Sequence, residues 1–215
     1  MPAARGRLIA LEGIDGCGKS TQATAVAAAL GAHLTHEPGA TPLGVLLRQV
    51  LLAPDVPPPS LRAEALLMAA DRAEHVAQVI EPALASGAWV VTDRYSGSTL
   101  AYQGYGRGLE VGELSQLVAW ATGGTEADLS VLVDVPVDVA AARLAAGTRR
   151  GRRADRMEQL GPDFAARVRE GFLAQADADA ARWLVVDGTG DSGAITAHIV
   201  QAVRTRLGTE PGPAR

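Results

Sequence analysis

Short apolar segments alternate along this chain with longer stretches in which apolar residues recur at helical spacing. The short segments are rich in β-branched residues and indicate buried strands. They lie at residues 7–11, 33–35, 89–92, 130–135 and 183–186. Strands that alternate with helical stretches predict βαβ units around a parallel sheet, and thus an α/β fold.

Helices are predicted between and after the strands, at residues 19–30, 42–52, 61–86, 111–122, 136–146, 162–181 and 192–207. Pro42, Pro136 and Pro162 begin three of them, at the position where a missing backbone N–H costs nothing. Pro82 falls late in the longest pattern and predicts a kink near its end. The proline-rich run at 53–60 is predicted to be a loop.

The composition limits the class of protein. With 215 residues, of which 47% are hydrophobic, the chain is long enough for one domain with a single core. We expect that domain to cover residues 1–207 and the tail at 208–215 to be disordered. No apolar run approaches the roughly 20 residues of a membrane span, and the start lacks a signal-peptide pattern, so we expect a cytoplasmic protein without membrane contact. The single cysteine, Cys17, can form no internal disulfide, in agreement with a reducing compartment.

A phosphate-binding loop is predicted directly after the first strand. Residues 13–20 match the pattern G-x4-G-K-[ST], and a helical pattern begins at Lys19, the only lysine in the chain. In such a loop, backbone N–H groups surround a phosphate, the lysine reaches the β and γ oxygens, and the hydroxyl of Ser20 ligates Mg²⁺. The residues predicted to bind ATP are Gly13, Ile14, Asp15, Gly16, Cys17, Gly18, Lys19, Ser20 and Thr21.

Two opposite charges, Asp93 and Arg94, follow the predicted strand at 89–92. Open α/β sheets bind ligands at the carboxyl ends of their strands. Asp93 is therefore a candidate to orient Mg²⁺ through water, and Arg94 is a candidate to face the phosphates. The alternative is an Asp–Arg ion pair that fixes the loop.

Five arginines lie close together at Arg149, Arg150, Arg152, Arg153 and Arg156. One interpretation is a solvated charge run. The other is a mobile lid at about 147–158 that closes over ATP and brings an arginine to the phosphoryl group. The phosphate-binding loop favours the lid, because it carries no arginine of its own. Arg149 and Arg153 are the preferred catalytic candidates.

The acceptor is better explained as a phosphate than as a hydroxyl. The four histidines, His33, His36, His75 and His198, do not cluster at any catalytic or metal-ligand spacing. A hydroxyl acceptor would require a general base, whereas a nucleoside monophosphate has a second pKa of about 6 and is already deprotonated at neutral pH. Catalysis then reduces to positioning and charge neutralisation, for which many arginines are suited.

Six segments resemble bacterial thymidylate kinases in the same order, over nearly the whole chain. They are EGIDGCGKST at 12–21, EPG at 37–39, ADR at 70–72, DRY at 93–95, STLAYQG at 98–104 and DRME at 155–158. The resemblance implies a P-loop kinase fold with a five-stranded sheet in the order 2-3-1-4-5, helices on both faces, a short lid and a homodimer. It also implies transfer of phosphate from ATP to dTMP with Mg²⁺ for dTTP biosynthesis, in the subtype whose lid supplies the arginine.

The same resemblance implies roles for individual side chains. Asp15 corresponds to a carboxylate near the 3′-hydroxyl of the acceptor, and Arg94 and Arg48 correspond to ligands of its phosphate. Arg72 corresponds to the arginine that binds thymine O4, and Tyr102 to the tyrosine that crowds a ribose 2′-hydroxyl. The residues implied to complete the dTMP pocket are Glu37, Pro38, Met68, Thr99 and Gln103. The predicted catalytic set is Lys19, Asp15, Arg94, Arg149 and Arg153.

Two positions depart from the family pattern: Met68 replaces the usual stacking phenylalanine, and His36 replaces an arginine. Other readings are a kinase for another nucleoside monophosphate, a nucleotide-dependent switch, or a nucleic-acid-binding module. The switch would need an N-K-x-D-type motif, which a chain with one lysine in its P-loop lacks. A net charge of −4 gives no general attraction to nucleic acid.

Overall fold

The computed structural model describes residues 4–149 and 153–208, apart from the side chain of Arg149. The described strands are β1 (Leu8–Glu12), β2 (His33–His36), β3 (Val90–Asp93), β4 (Leu129–Asp134) and β5 (Trp183–Asp187). They pair in parallel in the order β2-β3-β1-β4-β5. The predicted α/β class and the sheet order implied by the resemblance are therefore confirmed.

Four strands extend one residue beyond their predicted ends. These last residues are Glu12, His36, Asp93 and Asp187, and each still pairs with a neighbouring strand. The predicted ends followed the apolar pattern, but backbone pairing does not require an apolar side chain. As a result, polar side chains line the carboxyl edge of the sheet.

The described helices are α1 (Lys19–Leu30), α2 (Pro42–Leu52), α3 (Leu61–His75), α4 (Glu81–Ala85), α5 (Ser96–Thr99), α6 (Val111–Thr122), α7 (Val137–Arg149), α8 (Pro162–Ala178) and α9 (Ser192–Leu207). A short 3-10 turn spans Glu158–Leu160. Four helices match their predicted bounds at both ends, whereas α7 begins one residue later and ends three residues later than predicted. The run at 53–60 is a loop, as predicted, and residues 209–215 of the predicted tail lie outside the described range.

The long helix predicted at 61–86 is divided into α3, a π-helical segment at Val76–Ile80, and α4. Pro82 lies in the first turn of α4, where it needs no hydrogen-bond acceptor. A π-helical turn is one of the recognised causes of a bend in a long helix. The irregularity that we predicted from Pro82 is therefore the π-helical segment, which lies just before this proline.

One helical region was not predicted: α5 continues into a π-helical segment at Leu100–Gly106. Its sequence is rich in serine, threonine and glycine, which favour helices poorly, so propensity gave no signal. This segment is stabilised by packing against α8 rather than by an intrinsic helix propensity. A Cβ on Gly106 would lie 2.6 Å from the ring of Phe164, and one on Gly171 would lie 2.7 Å from the ring of Tyr105. The two glycines thus permit the close approach of these helices.

The core lies on both faces of the sheet, because successive side chains of the central strand β1 point to opposite sides. Ile9 and Leu11 belong to the larger cluster, which includes residues of α1, α8 and α9. Leu8 and Ala10 belong to a smaller cluster with residues of α4 and of the π-helical segment at Val76–Ile80. In the part of the chain that is described, no helix is both long and apolar enough to cross a membrane.

We predict that Ile199→Ala lowers the free energy of unfolding by about 2–5 kcal/mol, because it leaves a cavity where a fully buried side chain joins α9 to the core. Gln201→Ala, at an exposed position of the same helix, is the matched control and should change stability by less than about 0.5 kcal/mol. Urea unfolding followed by circular dichroism measures both. Equal effects of the two substitutions would show that this face of α9 is not part of the core.

Candidate active site

A cleft of about 600 Å³ opens at the carboxyl ends of β1, β2 and β3. The side chains that were predicted to bind dTMP all line it: Glu37, Pro38, Arg48, Met68, Arg72, Arg94, Thr99, Tyr102 and Gln103. From the phosphate-binding loop, Asp15, Gly16, Lys19 and Ser20 line the same cleft. The fold therefore brings the two predicted sets of residues to one cavity.

The phosphate-binding loop requires glycine at several positions. Gly13, Gly16 and Gly18 have φ angles of 142°, 85° and 99°, which side chains with a Cβ rarely adopt. A Cβ on Gly13 would lie 2.7 Å from the carbonyl oxygen of Val133, and one on Gly16 would lie 2.5 Å from that of Ala140. The loop is therefore pressed against its surroundings, which fixes the direction of its N–H groups.

The residues of the loop differ in what they can offer a phosphate. Ile14 and Cys17 are buried in the hydrophobic core, so only their backbone can contact a ligand. Burial raises the pKa of the Cys17 thiol, which keeps it protonated. Arg143, to which the sequence assigned no role, holds the loop from behind by donating to the carbonyl oxygen of Cys17 at 3.0 Å. Ser20 and Thr21 are exposed at the start of α1.

Asp15 and Arg94 form a partly buried ion pair at the centre of the cleft, with Nη2 of Arg94 2.6 Å from Oδ1 of Asp15. The hydroxyl of Tyr102 donates to Oδ2 of Asp15 at 2.8 Å and lies 2.8 Å from Nη2 of Arg94. Burial opposes ionisation of Asp15, but the charges of Arg94 and Lys19 outweigh it and hold the pKa well below its ordinary value. Asp15 is therefore a carboxylate, and burial, reinforced by that carboxylate, raises the pKa of Tyr102.

Arg94 has a φ angle of 75°, a left-handed conformation that is strained in a residue with a Cβ. Its backbone N–H donates to the carbonyl oxygen of Leu11 at 2.9 Å, and its carbonyl oxygen accepts from Thr92 at 2.8 Å. These bonds turn the side chain back over the P-loop. There its Nη1 donates to the carbonyl oxygen of Gly13 and to the hydroxyl of Ser98, both at 3.0 Å. The ion pair of Arg94 is thus with Asp15, not with Asp93.

Glu12 is a buried carboxylate to which the sequence assigned no role. Its Oε1 accepts from the backbone N–H groups of Tyr95 and Ser98, and its Oε2 accepts from the Ser98 hydroxyl at 2.6 Å. Burial raises its pKa to about 7 despite these bonds. The signal that could have identified Glu12 in the sequence is its position as a charged residue at the end of an otherwise apolar strand.

Arg72 is almost fully buried beneath the other end of the cleft. Its Nε donates to Glu37 at 2.9 Å, its Nη1 to the hydroxyl of Thr99 at 2.6 Å, and its Nη2 to the carbonyl oxygen of Tyr95 at 2.9 Å. Glu37 also accepts from His75, a histidine that showed no useful spacing in the sequence. Glu37 therefore holds Arg72, and its contact with the substrate stays a prediction.

The wall of the cleft around Arg48 is built from the loop after β2. Arg48 donates from Nη1 to the carbonyl oxygen of Pro38 at 2.7 Å, and Asp71 accepts from the N–H of Gly39 at 2.9 Å. Burial and the nearby charge of Glu37 raise the pKa of Asp71 to about 6. Burial and the charge of Arg48 lower the pKa of His36, so it adds no positive charge at neutral pH.

The pocket beyond Arg72 is closed by Gln103, which donates to the buried carboxylate of Glu64 at 3.0 Å. Arg107 pairs with the same carboxylate at 2.7 Å. Neither Glu64 nor Arg107 was identified from the sequence, because their spacing gives no motif. Met68 lines the cleft and packs against the hydrophobic core, so a flexible thioether lies where the family pattern has an aromatic ring.

The predicted lid is only partly described. Arg150, Arg152 and the side chain of Arg149 lie outside the described residues. Arg153 is largely exposed and lies 3.9 Å from an equally exposed Asp55, an arrangement that contributes little stability. Arg156 is anchored instead, because its Nη2 donates to the carbonyl oxygens of Ala53 at 2.7 Å and Val56 at 2.5 Å.

A sequence model described as thymidylate kinase matches residues 11–199. The chain is 51% identical to the thymidylate kinase of Synechococcus sp. (strain RCC307), an alignment that covers 78% of this chain and 82% of that protein. It is 42% identical to the thymidylate kinase of Methylobacillus flagellatus, with 93% and 98% covered. For the thymidylate kinase of Cupriavidus pinatubonensis the identity is 44%, with 94% and 99% covered. The resemblance drawn from the six sequence segments is thereby confirmed, and this chain belongs to the thymidylate kinase family.

Proposed function

We propose that this protein transfers the γ-phosphoryl group of ATP to the phosphate of dTMP, releasing dTDP and ADP, as a step of dTTP synthesis. One observation carries the proposal: a single cleft joins a P-loop lysine to a buried arginine, Arg72, through the ion pair of Asp15 and Arg94. Such a cleft offers a donor end, a central site for two phosphates and a base end. The family membership supports the same activity.

At the donor end, the N–H groups of the P-loop and the start of α1 bind the phosphates of ATP. Lys19 is 7% exposed and its Nζ lies 3.4 Å from Asp15, so the ammonium group is held inside the cleft rather than in solvent. There it reaches the β and γ oxygens. The γ-phosphoryl group is thereby placed next to Arg94.

Mg²⁺ is part of this proposal. Ser20 is exposed at the start of α1, and Asp93 has a buried Oδ1 without a hydrogen-bond partner among the described residues. Within the same part of the chain, no three His, Cys, Asp or Glu side chains form a metal-binding group. This pattern fits an ion that is held by one hydroxyl, by water and by phosphate oxygens, with Asp93 orienting the water. When bound, Mg²⁺ would be held by the Ser20 hydroxyl and by water that Asp93 orients, and it would neutralise negative charge on the phosphates.

At the acceptor, Arg94 and Arg48 bind the phosphate of dTMP. Arg94 already donates hydrogen bonds to Asp15, Ser98 and Tyr102, so its guanidinium is positioned before the substrate binds. Preorganised charge of this kind lowers the barrier because it need not reorient during phosphoryl transfer. Asp15 lies near the 3′-hydroxyl, and Tyr102 crowds the 2′ position, where ribose carries a hydroxyl.

At the base end, Arg72 selects a pyrimidine with an oxygen at position 4. One hydrogen of its Nη1 is donated to Thr99, and the other has no acceptor among the described residues. A thymine O4 can accept that hydrogen, whereas the amino group of cytosine at the same position cannot. Thr99, Gln103, Pro38 and Met68 form the rest of the base pocket.

We also propose that residues 147–158 form a lid on a single domain at 1–207. α7 continues into this segment as far as Arg149, and Arg156 anchors its other end to the loop after α2. Leu144, just before this segment, and Asp155, within it, both line the cleft. Arg149 and Arg153 are proposed to stabilise the transferring phosphoryl group when the lid closes.

A homodimer and a cytoplasmic location complete the proposal. α2 and α3 pack on each other and carry exposed apolar side chains: Leu43, Leu46, Val50, Leu61 and Leu66. A cluster of this kind is typical of a protein–protein contact, and a second copy of the chain is the proposed partner. Light scattering that gives the mass of one chain at micromolar concentration would refute the dimer.

The decisive experiment for the reaction is coupled ADP release with dTMP, dUMP, dCMP, dGMP and AMP as acceptors. We expect dTMP to give the highest kcat/KM. Lys19→Ala should lower kcat with dTMP by more than tenfold, a barrier increase above ~1.4 kcal/mol, without unfolding the protein. A chain that prefers another acceptor, or a variant that keeps more than about a tenth of the wild-type kcat, would contradict the proposal.

Met68→Phe should lower the KM for dTMP, because a ring stacked on thymine contributes about 0.5–1.5 kcal/mol beyond the buried area. Met68→Leu is the matched control and should leave the KM nearly unchanged, since it keeps the volume without adding a ring. Steady-state kinetics at saturating ATP measures both variants. If Met68→Phe raises the KM while remaining folded, the pocket is shaped for methionine.

Alanine substitution at Arg149, Arg150, Arg152 and Arg153 should identify one position at which kcat falls by about 10³ or more, as for an arginine finger. The Kd for ATP should change much less, because the contact forms mainly in the transition state. Arg156→Ala should instead weaken the anchor of the lid and raise its protease sensitivity. Arg62→Ala, exposed on α3, controls for loss of charge. Near-normal kcat in all lid variants would indicate a solvated charge run.

A further inference from the structure

His75 is completely buried, yet it lies outside the cleft and touches neither the donor end nor the acceptor phosphate site. Its Nδ1 lies 2.9 Å from Oε1 of Glu37, and its Nε2 lies 2.6 Å from the hydroxyl of Thr35. Because an ionised carboxylate can only accept, the hydrogen of this bond is on Nδ1. In the neutral ring, Nε2 then accepts from Thr35. Both nitrogens of the ring are thus engaged, one toward β2 and one toward the site.

Glu37 connects this histidine to the base end of the cleft. Its Oε1 accepts from His75, and its Oε2 is 2.9 Å from Nε and 2.8 Å from Nη2 of Arg72. The Glu37 side chain is 4% exposed, so water cannot replace either partner easily. The carboxylate therefore has one orientation that satisfies both oxygens, and His75 defines it from behind.

The Arg72 guanidinium is held by the carbonyl oxygen of Tyr95, by Thr99 and by its charged partner Glu37. The Nε and Nη2 edge of the guanidinium faces Glu37, whereas Nη1 faces Thr99 and the base pocket. A guanidinium is planar, so a rotation of the Glu37 carboxylate tilts the whole group. The Nη1 hydrogen that has no described acceptor would then point away from position 4 of the base.

We propose that His75 is a positioning residue for base selection, which holds Glu37 in the orientation that aims Arg72 at a pyrimidine 4-oxo group. The proposal rests on the assignment of Arg72 under the proposed function. It deepens that assignment, because the selection then depends on a chain of contacts from Thr35 in β2 through His75 and Glu37 to Arg72. The simpler alternative is a core histidine that stabilises the fold without affecting the choice of base.

Two amide substitutions separate these alternatives. In His75→Asn, the amide nitrogen takes the place of Nδ1 and can still donate to Glu37. In His75→Gln, the longer side chain takes the place of Nε2, which keeps the contact with Thr35 and leaves Oε1 of Glu37 unpaired. Both variants lose one ring contact and similar buried area. They differ mainly in which of the two partners is kept.

The experiment measures kcat/KM for dTMP and dCMP, the KM for ATP and the Tm of each variant. We expect His75→Gln to lower the dTMP-to-dCMP ratio of kcat/KM by about tenfold, because a misaligned Arg72 distinguishes a 4-oxo from a 4-amino group less well. His75→Asn should keep the ratio within about threefold. The KM for ATP should stay within about twofold in both, because the P-loop contacts are unchanged. A ratio that is unchanged in both variants, or that falls equally in both, would overturn the proposal.

Arg72→Ala is measured in parallel. If it leaves the ratio unchanged, the assignment of Arg72 under the proposed function is wrong. If it lowers the ratio but His75→Gln does not, only the role of His75 is wrong. Should His75→Gln not fold, His75→Leu is the second variant, because it keeps a buried side chain of similar size and removes the donor to Glu37. It should lower the ratio by about tenfold as well, and an unchanged ratio would count against the proposal.

Discussion

The ion pair between Asp15 and Arg94 joins the phosphate-binding loop to the end of β3, and the geometry of the cleft depends on it. The pair spans two neighbouring strands of the sheet, since β1 pairs directly with β3. It forms only because Arg94 adopts a strained backbone conformation that turns its side chain back over Gly13. The buried Glu12 holds the following turn through Tyr95 and Ser98, and so maintains that conformation. The Arg94 guanidinium and the phosphate-binding loop are thereby fixed relative to each other.

Three buried carboxylates, Glu12, Glu37 and Glu64, hold groups that line the cleft. Glu12 fixes the turn after Arg94, Glu37 pairs with Arg72, and Glu64 holds Gln103. A buried charge is costly unless it is paired and hydrogen-bonded, so each of these groups tolerates few orientations. Arg153 has the opposite environment, because its side chain is largely exposed and its ion pair with Asp55 is long. Buried, hydrogen-bonded charges therefore line one part of the cleft, whereas the arginine in the segment after α7 is exposed to solvent.

The sequence predicted much of the fold, because periodicity and proline positions report directly on buried faces and helix starts. The bounds of α1, α2, α6 and α9 were predicted at both ends. The segment Leu100–Gly106 was missed, since its helical form depends on packing against α8 rather than on its own propensity. Four of the five strand ends were placed one residue early for a related reason. A polar residue such as Asp93 interrupts the apolar pattern while its backbone continues the sheet.

The sequence by itself determined many residues of the cleft, because the P-loop spacing and the family segments mark them along the chain, but it did not identify Leu52 or Leu144, which also line it. Only the tertiary structure decided how they act. It showed that Glu37 pairs with Arg72, that Arg94 pairs with Asp15 instead of Asp93, and that Arg156 is anchored to the loop after α2. It also revealed His75, whose partners lie 38 and 40 positions away in the sequence. Hydrogen bonds between distant residues leave no periodicity or spacing, because they are set by the packing of β2 against α3 and not by local sequence.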